Sequence, residues 1–300
     1  MIFYIIKLFW GYRSLIDVII GGAILGAIFS LIAVGLNLQY GVTRILNVAH
    51  GEFLMLGAYV TNIFFSYYGL NPLISLVMSG PVVFILGILI QALIFRKIVS
   101  ISKSAEELEF RSLLACFGLL FVIQNMVRAV FGAMPISNTY LTEAIFIFGE
   151  RFQINMIASA IMSVAISIVL YLLLCSTKIG LALRAVVEEP IGAQLVGVNV
   201  QKIHSLSFGL SVLLAAIAGT MVSMIYTNIN PYIGPQYTFI ALAIIVLGGL
   251  GSFIGSLAGG FIIGYIYYLT LKIEPLMVMA IIYLFLIVFL ISRPRGLFGR

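Results

Sequence analysis

The chain predicts an all-α, polytopic membrane bundle of about eight or nine helices, some of them interrupted. Composition is the first observation: 63% of the 300 residues are apolar and only 9% charged, with a mean hydropathy of +1.22, which excludes a soluble domain of this size. The second is continuity, because the apolar runs lack the period-two alternation of barrel strands. The third is a polar cluster, Asn37, Gln39, Tyr40, Arg44, Asn47, His50 and Glu52, lying between apolar stretches.

Met1–Tyr12 is apolar with Lys7 and Trp10 and lacks a small-residue cleavage site, so residues 1–13 read as an interfacial segment. Val18–Leu36, Pro72–Phe95, Leu113–Phe131, Ile154–Cys175, Ile203–Tyr226, Phe253–Leu271 and Leu276–Ile291 each approach or exceed the roughly 18 residues that cross the hydrocarbon. Ile45–Phe65, which is polar, and Tyr237–Leu250, which is short, are additional spans. No loop is long enough to fold alone, so residues 1–300 form a single transmembrane domain.

Basic residues gather at Arg96, Lys97, Lys103 and Arg111, at Lys178, Arg184 and Lys202, and at Arg293, Arg295 and Arg300. The positive-inside rule makes these segments and the C-terminus cytoplasmic, and leaves Gly132–Phe152 and Asn228–Gln236 outside. Nine crossings would put the N-terminus outside and eight would put it inside. The net charge of +6 then reflects orientation and anionic lipid, with no nucleic-acid partner. Cys116 and Cys175 stand singly in apolar runs and imply neither disulfide nor metal.

A charged or amide side chain at membrane depth costs on the order of 2.5 to 3.5 kcal/mol, so the Asn37–Glu52 cluster reads as the border of a permeation path. Asn37, Gln39 and Asn47 serve equally well as caps for a helix interrupted over Leu36–Thr43 at Gly41. Arg44 reads as snorkelling to the interface, and Glu52 as pairing across the bundle. His50 and Glu52, two residues apart, point to different sides of a helix and form no catalytic dyad. Glycines at small-residue spacing predict close helix crossings, while Gly248, Gly249 and Gly251 predict a second interruption over Gly248–Ser252 beside the path. Paired interruptions are the pattern of repeat-built transporters. Asn230-Pro231-Tyr232 reads as a rigid external turn.

Ser176–Gln201 is the loop with a design of its own. Glu188 and Glu189 precede Pro190 and Gly197 closes the segment, predicting a helix of about 8 residues whose apolar face is Val187, Ile191, Leu195 and Val198. Such a face either lies back on the bundle or docks on a partner.

NVAHGEFLMLGAYV (Asn47–Val60), RAVVEEPIGAQLVGVN (Arg184–Asn199) and INPYIG followed by VLGGLGSFIGSLAGGFIIG, in that order, resemble the membrane permeases of branched-chain amino acid ABC importers of the LivH type, as does the tail RPRGLFG. The Gly132–Phe152 loop has no matching motif. The resemblance implies two membrane subunits, identical or different, two cytoplasmic ABC ATPase subunits and an extracytoplasmic substrate-binding protein. ATP would be bound by the partner, with no cofactor on this chain and no enzymatic activity of its own. No G-x-x-x-x-G-K-S/T loop occurs in the sequence. It further implies transport by alternating access, with Arg184, Glu188, Glu189, Ile191, Leu195 and Gly197 coupling to the ATPase. The substrate path expected from the polar and glycine clusters comprises Asn37, Tyr40, Asn47, His50, Glu52, Gly248, Gly249 and Gly251. Related permeases for urea and short amides share much of the pattern. A proton-coupled secondary carrier, using the buried His and Glu, is the alternative from another class.

Overall fold

The computed structural model describes residues 15–226 and 228–299 in full, and the backbone alone over 2–14; the interfacial segment expected over 1–13 lies outside the fully described residues. The elements run α1 (Ile2–Thr43), α2 (His50–Tyr68), α3 (Pro72–Ile90), a π-helical turn over Gln91–Phe95, α4 (Arg96–Ile101) and α5 (Ala105–Phe131). A hairpin of β1 (Ala144–Ile147) and β2 (Glu150–Gln153) follows, then α6 (Ile154–Ser176), α7 (Lys178–Glu188), α8 (Pro190–Leu195) and α9 (Val200–Ile225). The chain closes with α10 (Gly234–Gly248), α11 (Phe253–Ile273), a 3-10 turn over Pro275–Met277 and α12 (Val278–Ser292).

Seven helices among the described residues are long and apolar enough to cross a membrane. The polar α2 and the 15-residue α10 lie between them, so the chain is a polytopic helical membrane protein. Capping residues set several boundaries. Asn71 accepts from Leu73 N–H ahead of Pro72, and Ser104, Asn199 and Ser252 accept from the third amide after them to open α5, α9 and α11. Gly69, at φ +63°, ends α2.

α1 and α9 form the centre, each with 78% of its crossing window buried, whereas α12 has 11%. Small residues make that centre possible. A Cβ on Gly264 would meet Gly26 backbone and one on Gly260 would meet Ser30, which joins α11 to α1. A Cβ on Gly57 would meet Ala216 and one on Gly219 would meet the Leu54 carbonyl, which joins α2 to α9. With no hydrophobic drive between helices in lipid, this close approach supplies the packing.

The bundle has two distinguishable ends. At one, Asn62 donates to Asn138 at 2.7 Å and Ile136 pairs with Ile229, beside the hairpin. At the other, Val42 of α1 packs with Leu183 and Val186 of α7, Ala193 of α8 and Val200 of α9; this end carries the basic loops.

One expectation needs correction. Helix α1 runs unbroken through Leu36–Thr43, because Thr43 Oγ1 and Arg44 N–H donate to the Gln39 and Tyr40 carbonyls; the break falls at Arg44–Ala49, starting where Arg44 takes φ +56°. Between α5 and α6 lies a hairpin with register Ala144 to Gln153 and Ile147 to Glu150. Its two turn residues, Phe148 and Gly149, both have positive φ, the backbone a tight two-residue turn requires.

Candidate functional site

The segment after α1 folds back into the bundle, and α2 begins halfway through it. His50 Nε2 lies 3.1 Å from the Ile32 carbonyl and Nδ1 lies 3.4 Å from the Ser211 hydroxyl, and both partners sit in the middle turns of their spans. The Ile32 carbonyl can only accept, so Nε2 carries the proton. Ser211 also bonds to Gln39 Oε1, which accepts from Asn47 Nδ2 at 3.2 Å. Asn47 Oδ1 in turn accepts from Ala49 N–H and shapes the entry to α2.

Helix α10 starts at the same place. Gly51 N–H donates to Thr238 Oγ1 at 2.7 Å, and a Cβ on Gly51 would strike the Gly234 carbonyl. Two helix N-termini therefore meet inside the bundle, each the positive end of a backbone dipole. Glu52 lies between them. Its side chain is fully buried, neither carboxyl oxygen has a hydrogen-bond partner among the described residues, and a Cβ on Gly234 would sit 2.5 Å from Oε1 and 2.9 Å from Oε2. Glycine at 234 is what lets the carboxyl approach the first turn of α10. His50 faces α1 and α9 while Glu52 faces α10, so the two share no partner.

The other end of α10 is held by Asn37. Its Nδ2 donates to the Ser252 carbonyl at 2.8 Å and to Ser256 Oγ at 2.6 Å, with a longer contact of 3.4 Å to the Gly249 carbonyl. Its Oδ1 accepts from Gly251 N–H at 2.6 Å. Gly249 and Gly251 have φ of +102° and +81°, and a Cβ on Gly248 would meet the Gly255 carbonyl. The tail completes the joint, since Leu297 and Phe298 N–H donate to the Leu247 and Gly248 carbonyls at 2.8 and 3.0 Å. These carbonyls lie in the last turn of α10, where an α-helix leaves acceptors unpaired. Tyr40 stands one turn on from Asn37 and carries the Arg44 guanidinium 5.9 Å above its ring.

The loop after α6 holds two helices where the sequence predicts one. Leu183 and Val186 are buried, so α7 lies back on the bundle, with Arg184 donating to the Cys175 carbonyl at 3.4 Å. Glu189 is extended and accepts from Ile191 N–H at 3.3 Å, which opens α8 at Pro190. Gly197 follows at φ +89°. The expected apolar face divides, because Val187 and Val198 pack inward while Ile191 and Leu195 are 70% and 84% exposed, beside Val196 at 80%. Glu188 is the last residue of α7 and lines, with Arg184, a cavity against α1.

Asn47, His50 and Glu52 thus lie together in the core, and Asn37, Gly248, Gly249 and Gly251 form a separate joint. Thr238, Gly234 and Ser211 belong to the first group and Ser252, Ser256, Leu297 and Phe298 to the second; of these, sequence reasoning reached only Ser252, as the end of the predicted interruption. The Gly234-Pro235 pair was the available signal for the start of α10. Among the described residues no three His, Cys, Asp or Glu side chains converge as metal ligands.

Residues 18–290 match the family described as branched-chain amino acid transport system / permease component. The chain is similar to the high-affinity branched-chain amino acid transport system permease protein LivH of Salmonella typhimurium, with 29% identity covering 93% of this chain and 94% of that one. It is 27% identical to the corresponding permease BraD of Pseudomonas aeruginosa, covering 94% and 95%. It is also 31% identical to the probable LivH of Methanocaldococcus jannaschii, covering 81% and 77%. Among solved structures, PsaBC from Streptococcus pneumoniae in complex with Fab aligns over 91% of each chain with a TM-score of 0.48 and 13% identity, and nothing further rests on that likeness.

Proposed function

The chain belongs to the branched-chain amino acid transport system permease family, and from that premise we propose that it is the membrane permease subunit of an ABC importer for leucine, isoleucine and valine. In this reading it works in the cell membrane with a second permease subunit, separate ATPase subunits and an extracytoplasmic binding protein. ATP is bound and hydrolysed by the ATPase. The basic end, with Arg96, Lys97, Lys178 and Lys202, faces the cytoplasm together with the C-terminus.

The observation that carries the reading is the apolar tip Ile191, Leu195 and Val196, exposed on a six-residue helix outside every crossing segment. That tip is connected to the core by contiguous packing. Helix α7 presses on Val42 of α1, and one turn and more along α1 stands Asn37, which holds the joint between α10 and α11. A displacement of α8 by nucleotide-driven closure would pass along this chain as a rigid-body shift.

The solute path, in the same reading, borders the junction of α2 and α10, with Asn47, His50 and Glu52 on its wall. A free amino acid presents a carboxylate and an ammonium. Two convergent helix N-termini suit the first and the Glu52 carboxyl suits the second. Asn37, Gly248, Gly249 and Gly251 then act as the hinge that lets α10 move.

The test is Ile191→Asp in the reconstituted complex, read as labelled-leucine uptake and transport-coupled ATP hydrolysis. Both should fall, because a charge enters an apolar contact, while membrane insertion stays normal because α8 lies outside the bilayer. Full coupled hydrolysis in that variant would overturn the docking assignment.

A further inference from the structure

Two neighbouring cavities on the flank of the bundle share part of their lining. The first, of ≈650 Å³, opens at the basic end and is lined by Arg44, Arg184 and Glu188 with Asn37 and Gly251. The second, of ≈340 Å³, is a groove between α1, α6 and α11 lined by Ala27, Val164, Ile168, Leu257 and Phe261. Tyr171, Phe253 and Ile254 border both, and the Tyr171 and Phe253 rings stand 5.6 Å apart at the passage between them.

The two halves differ in chemistry. In the groove the hydroxyls of Ser30 and Ser167 are committed to the Leu257 and Ser163 carbonyls, at 3.0 and 2.8 Å, so its walls present hydrocarbon. Val164, Ile168 and Ile254 are exposed on its rim. The mouth holds two guanidinium groups and one carboxylate, a net positive balance. Arg184 gives one donor to Cys175 and Arg44 stacks over Tyr40; a guanidinium has several N–H donors in a planar fork suited to phosphate.

We propose that the mouth and groove together bind an anionic phospholipid, its phosphate between Arg44 and Arg184 and one acyl chain along the groove. Basic pockets between membrane helices select anionic head groups in this way. A free phosphate or an amino acid would fill the mouth and leave the apolar groove empty, whereas a phospholipid matches the charged mouth and the hydrocarbon groove together.

Native mass spectrometry of the assembled complex, exchanged into phosphatidylglycerol or phosphatidylcholine, tests this. The wild type should retain phosphatidylglycerol preferentially. Arg44→Gln with Arg184→Gln should reduce that retention by roughly thirtyfold, the worth of two basic residues at an anionic surface, and leave phosphatidylcholine unchanged. Val164→Trp, which fills the groove from its exposed rim, should displace both lipids. Equal retention of the two lipids by the wild type, or unaltered selectivity in the double variant, overturns the proposal. So does phosphatidylglycerol retention that survives Val164→Trp, which would mark anion binding at the mouth alone. An Ile168→Cys variant that crosslinks between two permease copies in the intact complex would also overturn it, by placing protein over the groove.

Discussion

The backbone N–H of Gly251 donates to Asn37 Oδ1 at 2.6 Å across 214 residues of sequence, so one amide side chain on α1 fixes the turn that joins α10 to α11. Because Asn37 Nδ2 bonds back to the Ser252 carbonyl and Ser256 on the far side of the same turn, the link is a two-sided staple. Removing it leaves the Gly251 N–H without its acceptor, while the Ser252 and Gly249 carbonyls keep the Ser256 and Ser252 amides. Asn37→Ala should lower the unfolding free energy of the purified permease by about 2–3 kcal/mol, counting about 1 kcal/mol for each of the close bonds lost to Ser252, Ser256 and Gly251. Denaturant titration followed by tryptophan-independent circular dichroism would measure it, and an unchanged midpoint would show that the turn holds itself.

Gly249 and Gly251 separate strain from collision. Both have positive φ, but a Cβ on Gly251 meets nothing within 4 Å, while one on Gly249 would lie 2.5 Å from Gly299 N. Gly251→Ala should cost about 1–2 kcal/mol for the left-handed backbone alone. Gly249→Ala should cost more, since it must also displace the tail. Equal melting shifts for the two variants would mean the tail moves aside freely.

Glu52→Gln keeps the shape of a carboxyl that has no hydrogen-bond partner among the described residues. Its stability should be unchanged or slightly raised, because a desolvated acid is exchanged for a neutral amide. Leucine uptake should fall by about tenfold if the charge meets the solute ammonium, a contact of about 1.5 kcal/mol. Normal uptake with a lowered melting temperature would make Glu52 a structural residue and move the path elsewhere.

Leu297→Pro deletes the N–H that closes on the Leu247 carbonyl at 2.8 Å. The loss should be about 1 kcal/mol, and limited proteolysis should cut the tail faster than in the wild type. An unchanged cleavage rate would show that Phe298 alone holds the strap.

The crossing helices were legible because a bilayer demands long apolar runs, and Ile154–Cys175 or Pro72–Phe95 can be little else. Ends of helices were harder to read. Gly41 looked like a breaker, yet it stays helical because Thr43 and Arg44 find carbonyls one turn back. Helix α7 was hidden because Leu183 and Val186 become a buried face only once α1 extends to Val42. At the candidate site the polar types could be picked out, but their grouping could not. Nothing local in the sequence says that Gly51 meets Gly234, or that Asn37 serves the glycine turn while Asn47 serves the histidine. Those pairings arise from helix crossings between distant segments.

The strap from Leu297 and Phe298 to the end of α10 has a bearing on how the protein is made. Helix α10 leaves the ribosome before α11 and α12, so its Leu247 and Gly248 carbonyls must wait, unpaired near the membrane surface, while two more helices are inserted. During that interval the α10–α11 turn has Asn37 but not the strap, and a chain that misplaces α12 cannot bring residues 297 and 298 back to it. Closing of the strap therefore follows the placement of α11 and α12, and the end of α10 is completed by the last residues to be made.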